Sequence, residues 1–264
     1  MCGIGGFVDF DRDARRGGPV LSAMDRRLRP RGPDASGTYT DPDAALVHRR
    51  LIVIDPEGGA QPMLSPDGNT VLVYNGELYN TDEVRDSLTA LGHVFRSRSD
   101  TEVVLHAFLE WDTDAFARLD GIFAFALWQK AERRLVLVRD RLGVKPLFCC
   151  PTRSGLVFGS TIDTVLCHPE AEPVLDEDGW PAGAVAGRAA GAGAGRLTSG
   201  AAEPGQHPGR AVGVRGRLDR GPADAVPVQG LAERVRPGLH PVQLAVGERG
   251  VGADRAGDVP AVHD

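Results

Sequence analysis

The sequence predicts an α+β domain followed by a tail of different composition, and three observations lead to this prediction. Short apolar segments bounded by turn residues recur through residues 1–178. Two segments there have the spacing of amphipathic helices, and they follow one another instead of alternating with strands. This order favours layered sheets over repeated βαβ units. Nearly all aromatic residues lie in the first part, which alone can close a core.

Six segments are predicted to be strands because they are rich in apolar and β-branched residues. They are residues 3–10, 45–55, 70–74, 121–128, 135–139 and 156–158. The third strand is entered through the turn sequence SPDG at residues 65–68.

Two helices are predicted between the third and fourth strands. The first follows Asn80 as a capping residue, has Glu83 at its third position and ends at Gly92. The second follows Ser99 and has Glu102 at its third position. Both segments therefore have a start signal as well as an apolar face.

Residues 179–264 are predicted to be a disordered tail. From residue 180 on, 25 of 85 residues are Gly or Pro, and Trp180 is the one aromatic residue, which is typical of chains that do not fold. Phe, Tyr, Ile, Met, Asn and Lys, whose codons all begin with two A or T bases, are absent together. A G+C-rich gene translated out of frame produces this pattern. A natural low-complexity linker is the alternative.

Charge and hydropathy exclude several function classes. Residues 1–179 carry 28 acidic and 20 basic side chains, so no nucleic-acid partner is expected. No apolar run approaches the roughly 18 residues of a membrane-spanning helix, and the first residues lack the features of a signal peptide. The four cysteines form no CxxC pair and are expected to be thiols in a reducing compartment. The protein is therefore expected in the cytoplasm, away from membranes.

Cys2 directly follows the initiator Met, which is usually removed before a small residue. Cys2 would then carry a free α-amino group, and such amines titrate near neutral pH. One residue can thus supply both a nucleophile and its base, so that no catalytic His is needed. Taken alone, Cys2 is also consistent with a small apolar residue at the start of a strand.

Eight motifs in order support the catalytic interpretation of Cys2. They are MCGIGGF at 1–7, RPRGPDASG at 29–37, HRRLIVID at 48–55, GAQPM at 59–63, YNGELYN at 74–80, SDTE at 99–102, LDGIFAFALWQK at 119–130 and RDRLGVKPLF at 139–148. Together they resemble the class II glutamine amidotransferase domain of glutamine-hydrolysing asparagine synthetases, an N-terminal-nucleophile hydrolase. The resemblance extends from residue 1 to about residue 178. It implies a four-layer α/β/β/α sandwich of two antiparallel sheets, with Cys2 at the end of the first strand.

The resemblance also implies an activity, the hydrolysis of L-glutamine to glutamate and ammonia for asparagine synthesis. It makes Cys2 the catalytic nucleophile, which forms a γ-glutamyl thioester. It makes the Asn75 side-chain amide and the Gly76 backbone N–H the donors to the oxyanion. Taken alone, the dipeptide favours a hairpin turn.

For the amino-acid end of glutamine, the resemblance implies that Arg50 binds the carboxylate with two parallel hydrogen bonds. It implies that Asp100 receives the ammonium, with Glu77 nearby. Taken alone, Asp100 is also typical of a helix cap, and Glu77 of a surface charge. Arg49 is expected on the other side of the strand, in solvent. Residues 31–34 match a loop that closes over glutamine and are predicted to be a lid.

No metal or cofactor is expected in this chain. His48 and His106 have no partners at metal-ligand spacing and are expected to be structural. ATP and Mg²⁺ belong to the synthetase domain that the resemblance implies downstream, and its S-G-G-x-D-S loop does not occur in the sequence. The chain is therefore expected to be truncated relative to that family. L-Glutamine is the expected substrate, and a second copy or a separate synthetase the expected partner.

Two other functions stay open. An amidotransferase domain of this kind can serve another acceptor, such as a sugar phosphate or a phosphoribosyl substrate, although YNGELYN and RDRLGVKPLF favour the asparagine type. The chain can also be a non-catalytic remnant or a glutamine-binding module, which would bind glutamine without hydrolysing it.

Overall fold

The computed structural model describes residues 1–52 and 58–175, together with the backbone of two later strands at 212–216 and 242–247. The end of the strand predicted at 45–55 and the predicted domain boundary at 178 lie outside the described residues. No helix in the described part of the chain is long and apolar enough to cross a bilayer.

The elements are named here in chain order. They are β1 (Gly3–Asp9), α1 (Gly18–Leu28), β2 (Ala35–Thr40), β3 (Ala44–Arg50), β4 (Met63–Leu64), β5 (Thr70–Leu78), α2 (Thr81–Ala90), α3 (Asp100–Trp111), β6 (Gly121–Gln129), β7 (Arg134–Arg139), β8 (Phe148–Pro151), β9 (Gly155–Gly159), α4 (Ile162–Val165), β10 (Ala171–Leu175), β11 (Val212–Gly216) and β12 (Val242–Gly247). Short 3₁₀ helices lie at Ala14–Gly17 and Asp112–Ala117.

Two five-stranded sheets form the centre of the domain. Their strand orders are β2-β3-β1-β9-β8 and β12-β7-β6-β5-β4, and β10 and β11 form a separate pair. All described strand pairs are antiparallel. The predicted α+β class is confirmed.

Three buried clusters establish the layer order. Side chains of both sheets, among them Ile4, Leu46, Val73 and Phe158, form a core between the sheets. The outer face of the first sheet packs on α1 and α4, and the outer face of the second sheet packs on α2 and α3. The predicted four-layer α/β/β/α arrangement is therefore confirmed.

The six predicted strands correspond to β1, β3, β5, β6, β7 and β9, and both predicted helices are present. The prediction missed α1, although Leu21, Met24 and Leu28 are buried at helical spacing. It also missed β2, whose sequence ASGTYT is polar because the strand lies at a sheet edge and alternate residues are exposed.

The predicted helix ends are confirmed in part. Ser99 Oγ accepts from the Glu102 N–H at 3.3 Å, and Gly92 has a positive φ of 96° after α2. Asn80 makes no side-chain capping bond. Its amide instead contacts the Arg118 carbonyl at 2.9 Å and the Asp120 N–H at 2.9 Å, because the loop before β6 passes beside it.

Two strands lie in the segment predicted to be a disordered tail. β11 pairs with β10, and β12 pairs with β7 at the edge of the second sheet. Edge strands offer unpaired backbone groups to a segment of almost any composition, so these two pairings need no core within the tail. The other residues beyond 175 lie outside the described part, so there the tail stays a prediction.

Candidate active site

A cavity of about 210 Å³ lies at one end of the layer between the two sheets. All six residues predicted for catalysis or substrate binding line it: Cys2, Arg50, Asn75, Gly76, Glu77 and Asp100. The structure thus brings together residues that lie up to 98 positions apart in the sequence.

The two-residue period of the strands explains why these side chains meet. Along β1, Ile4 and Val8 lie in the inter-sheet core, so Cys2, two residues before Ile4, faces the same layer. Arg50 continues the inward face of β3 beyond Leu46 in the same way, and Asn75 continues that of β5 beyond Val73. The cavity is therefore the polar end of an otherwise apolar layer.

Cys2 is half-buried and held by contacts on both sides. Its Sγ lies 3.4 Å from the Leu51 nitrogen and 3.7 Å from the Leu51 carbonyl oxygen. Arg31 Nε donates to the Cys2 carbonyl at 3.0 Å. Two residues on, Ile4 N–H donates to Ser160 Oγ at 3.0 Å. The thiol therefore has a defined position at the cavity wall.

The glycines after Cys2 allow close packing of β1 against helices. A Cβ atom on Gly3 would lie 2.9 Å from a Leu28 methyl carbon, and one on Gly5 would lie 2.8 Å from Thr164 Cγ2. These glycines therefore allow β1 to pack closely beside Cys2.

Asn75 and Gly76 lie inside β5, opposite Ala124 and Phe123 of β6. The hairpin-turn interpretation of this dipeptide is therefore wrong. Asn75 is only 2% exposed, and its Nδ2 is buried with no hydrogen-bond partner. A buried donor without an acceptor is costly, unless a bound molecule supplies the acceptor.

The strand pattern also fixes the direction of the Gly76 N–H. Asp140 N–H donates to the Phe123 carbonyl at 2.7 Å, so the backbone groups of Phe123 are used on the β7 side. Its partner Gly76 therefore turns its N–H away from β6, to the edge of β5 that borders the cavity. A Cβ atom on Gly76 would lie 2.7 Å from the hydroxyl oxygen of Tyr74, so only glycine fits there.

Asp100 is the first residue of α3, and its carboxylate points to β5. Asp100 Oδ2 accepts from the Tyr74 hydroxyl at 2.9 Å and from the Leu78 N–H at 3.3 Å. Burial raises the pKa of Asp100, although both hydrogen bonds favour the charged form. Ser99 is the capping residue of α3, so the interpretation of Asp100 as a helix cap is wrong.

The two other charged residues differ in exposure. Arg50 is buried, with 8% of its surface exposed. Glu77 is exposed at the cavity rim. The cavity thus has a buried cation on β3 and a carboxylate on α3, which is the complement of a zwitterion.

Arg49 lies on the outer side of β3, as the strand alternation predicts. It is not solvated as expected, because its guanidinium forms an ion pair with Asp25 of α1, with Nε 2.7 Å from Oδ1. The predicted lid, residues 31–34, lies beside the site: Arg31 contacts Cys2, and Asp34 Oδ2 accepts from the Ile52 N–H at 2.8 Å. Its closure stays a prediction.

The two histidines singled out in the sequence make structural contacts. His48 Nε2 donates to the Tyr74 carbonyl at 3.1 Å, and burial lowers the pKa of His48 to about 4. His106 Nδ1 lies 2.9 Å from His93 Nδ1. Among the described residues, no group of three or more His, Cys, Asp or Glu side chains could hold a metal ion.

Four further residues, which were not predicted from the sequence, also line the cavity: Gln61, Tyr74, Thr101 and Lys145. Each lies in one of the recognised motifs, and position within a motif is the signal that could have identified them. Gln61 Oε1 accepts from the Tyr74 N–H at 2.6 Å, and Gln61 Nε2 donates to Thr101 Oγ1 at 3.2 Å.

Comparisons with known proteins identify relatives of the first part of the chain. Asparagine synthetase [glutamine-hydrolyzing] 3 of Bacillus subtilis is 44% identical over 181 residues, which are 68% of this chain and 30% of the relative. Asparagine synthetase [glutamine-hydrolyzing] 1 of Arabidopsis thaliana is 40% identical over 148 residues, 56% of this chain and 25% of the relative. The chain therefore spans less than a third of the length of these relatives.

Two solved structures share the fold at low sequence identity. One is the glutamine phosphoribosylpyrophosphate amidotransferase of B. subtilis, with a TM-score of 0.52, 17% identity and coverage of 67% of this chain and 48% of that one. The other is described as the allosteric regulatory enzyme of purine biosynthesis, with a TM-score of 0.53, 18% identity and coverage of 67% and 47%. A family model, glutamine amidotransferase domain, matches residues 1–183. This chain therefore belongs to the glutamine amidotransferase domain family.

Proposed function

We propose that this chain hydrolyses L-glutamine to L-glutamate and ammonia through a thioester on Cys2. The observation that carries the proposal is the buried Asn75 Nδ2, which has no hydrogen-bond partner and lines the same cavity as the Cys2 thiol. An unpaired donor beside a nucleophile is the arrangement that stabilises an oxyanion formed during acyl transfer.

The charged residues of the cavity orient the substrate. Arg50 binds the α-carboxylate, and Asp100 binds the α-ammonium with Glu77 at the rim. The side-chain amide of glutamine then extends to the Cys2 thiol. Since the charges of Arg50 and Asp100 oppose those at the amino-acid end of the substrate, binding adds a charge-assisted contact to each group.

Cys2 has a free α-amino group only after Met1 is removed, and Met1 lies exposed at the cavity. The freed α-amino group takes the thiol proton, and the sulfur electron pair bonds to the amide carbon of glutamine. The carbonyl oxygen becomes an oxyanion that accepts from Asn75 Nδ2 and the Gly76 N–H. His48 is buried against the Tyr74 carbonyl and is not among the residues that line the cavity, which leaves the base role to the terminal amine.

Collapse of the tetrahedral intermediate breaks the C–N bond. The leaving nitrogen takes the proton back from the α-ammonium and departs as ammonia, which leaves the γ-glutamyl thioester. Water then attacks the thioester while the α-amine accepts its proton. Cleavage of the C–S bond releases glutamate, and the sulfur recovers its proton from the amine.

The test combines glutamine binding with glutamine hydrolysis. Cys2→Ala should bind glutamine and release no ammonia, whereas the control Cys167→Ala, at another half-buried thiol, should keep full turnover. A variant with extra residues retained before Cys2 should fold and lose activity, and mass spectrometry of the active chain should show Met1 removed. Full activity in the extended variant would refute the mechanism. Binding without turnover by the wild-type chain would instead support a glutamine-binding module.

The proposal extends to the reaction that consumes the ammonia and to the cellular compartment. Similarity to asparagine synthetases supports aspartate activation as the consumer of ammonia, supplied by a synthetase domain or subunit that holds ATP and Mg²⁺. This chain itself then needs no cofactor and works with that partner or as a dimer. Four unpaired cysteines support a cytoplasmic setting.

A further inference from the structure

We infer that Gln61 is a positioning residue for the oxyanion donors, because its side chain links β5 to the start of α3. The inference rests on the proposed glutamine hydrolysis and assigns a role to the GAQPM motif, which that proposal leaves unused. Gln61 is one of the cavity-lining residues.

The side chain of Gln61 continues the ladder between β4 and β5 beyond the end of β4. β4 pairs with β5 through Met63 and Leu72, and the next residue towards Gln61 is Pro62, at a position whose backbone groups point away from β5. One step further, the side-chain carbonyl of Gln61 accepts from the Tyr74 N–H at 2.6 Å. A side chain therefore takes the place that a backbone carbonyl would hold in a longer β4.

The N–H groups along this edge of β5 show what the bond achieves. Tyr74 N–H is fixed by Gln61 Oε1, and Leu78 N–H is fixed by Asp100 Oδ2 at 3.3 Å. Gly76 lies midway between them and faces the same edge. The donor proposed for the oxyanion is thus flanked on both sides by backbone groups that side chains hold in place.

The two side chains that accept from these N–H groups, Gln61 and Asp100, both connect to the first turn of α3. Asp100 belongs to the helix itself, and Gln61 Nε2 donates to the buried Thr101 Oγ1 at 3.2 Å. The two links set the distance between the oxyanion donors on β5 and the ammonium-binding carboxylate on α3. Small displacements of such groups lower turnover more than they lower binding.

The backbone of Gln61 is fixed as well. A Cβ atom on Gly37 of β2 would lie 2.0 Å from the Gln61 carbonyl oxygen, so the glycine permits β2 to press against this residue. Gln61 therefore contacts elements of both sheets and the helix, and its side chain has little freedom to move away from Tyr74.

Gln61→Met tests the role, because it keeps the length of the side chain and removes both hydrogen bonds. We expect kcat for glutamine to fall about tenfold, less than the roughly 100-fold loss of a direct donor, with KM changed less than about twofold. Amide hydrogen exchange at Tyr74 and Gly76, measured without glutamine, should accelerate. Thr101→Val should act in the same direction but more weakly, and Thr101→Ser should restore kcat.

Ser65→Ala is the matched control. Ser65 Oγ accepts from the Thr70 N–H at 2.8 Å, which is the same type of bond at the far end of β5. It should lower the unfolding temperature and leave kcat unchanged. If Gln61→Met kept wild-type kcat, or if the Tyr74 amide stayed protected, the inference would be overturned while the proposed function stood. A wild-type chain that releases no ammonia would instead refute the proposed function, and the exchange rates would still decide whether Gln61 holds β5.

Discussion

The Tyr74 hydroxyl lies 2.9 Å from Asp100 Oδ2, so one hydrogen bond joins the strand of the proposed oxyanion donors to the helix of the proposed ammonium-binding carboxylate. Both groups are largely buried, and burial raises the pKa of each. Because the hydroxyl stabilises the charged carboxylate, it partly offsets the effect of burial on Asp100. This one hydrogen bond therefore both holds the Asp100 carboxylate in place and favours its charged form.

The first prediction concerns the pH dependence of glutamine binding. Asp100 must be ionised to attract an ammonium, and its raised pKa means that it takes up a proton at a higher pH than an ordinary carboxyl. KM should therefore rise as the pH falls, and in Tyr74→Phe this rise should begin at a higher pH. Asp100→Asn should have a high KM that no longer varies in this range. Steady-state kinetics between pH 4 and about 8 test this, and identical KM profiles in wild type and Tyr74→Phe would contradict it.

The second prediction concerns stability and His48. Its pKa falls from the ordinary 6.5 to about 4 in the fold, so between these values the unfolded chain binds more protons than the folded one. The contribution of neutral His48 to the free energy of unfolding is fully present above about pH 6.5 and is lost as the pH falls towards 4. The difference between the two pKa values corresponds to about 3 kcal/mol of stability. The wild type should therefore lose more stability than His48→Gln between pH 7.5 and pH 5.

Urea unfolding at the two pH values measures this difference. Gln offers an N–H to the Tyr74 carbonyl, so the variant keeps a donor at that place. His106 and His168, whose pKa values burial also lowers, are present in both proteins and cancel in the comparison. Equal stability losses in both would show that His48 does not contribute.

A third prediction concerns Asn75. Asn75→Ala removes the unpaired Nδ2 and should lower kcat by roughly 100-fold to 1,000-fold, as loss of an oxyanion donor does. Because Nδ2 has no partner in the fold, its removal breaks no hydrogen bond, and the unfolding temperature should change little compared with kcat. Turnover equal to that of the wild type would exclude Asn75 from the chemistry.

A fourth prediction concerns Arg50. Arg50→Lys keeps the positive charge and loses the planar pair of donors, so KM for glutamine should rise about tenfold or more. Arg49→Lys on the neighbouring position is the control, because Arg49 faces α1 and pairs with Asp25. It should change stability and leave KM close to the wild-type value. A similar KM in both variants would contradict the assignment of Arg50.

The fold and the candidate site could be predicted from the sequence to different extents. Apolar and β-branched composition predicted β1, β5 and β6, and the Ser99 and Glu102 spacing predicted the start of α3, because these signals act between near neighbours. The six site residues came from motifs, in which the required chemistry limits the residue type at each position. The ends of strands and the polar edge strand β2 gave no such signal.

The sequence by itself determined which residue types the site has: a thiol at position 2, an amide at Asn75, and opposite charges at Arg50 and Asp100. Only the tertiary structure decided where they stand. Asn75 and Gly76 have the local preference of a turn, yet they form strand because β6, far along the chain, pairs with this segment of β5. The sequence around Gln61 indicates no function for this residue. Its inferred role depends on the hydrogen bond that its side chain accepts from the Tyr74 N–H. Such roles depend on groups that only folding brings within hydrogen-bonding distance, and no pattern among neighbouring residues encodes that distance.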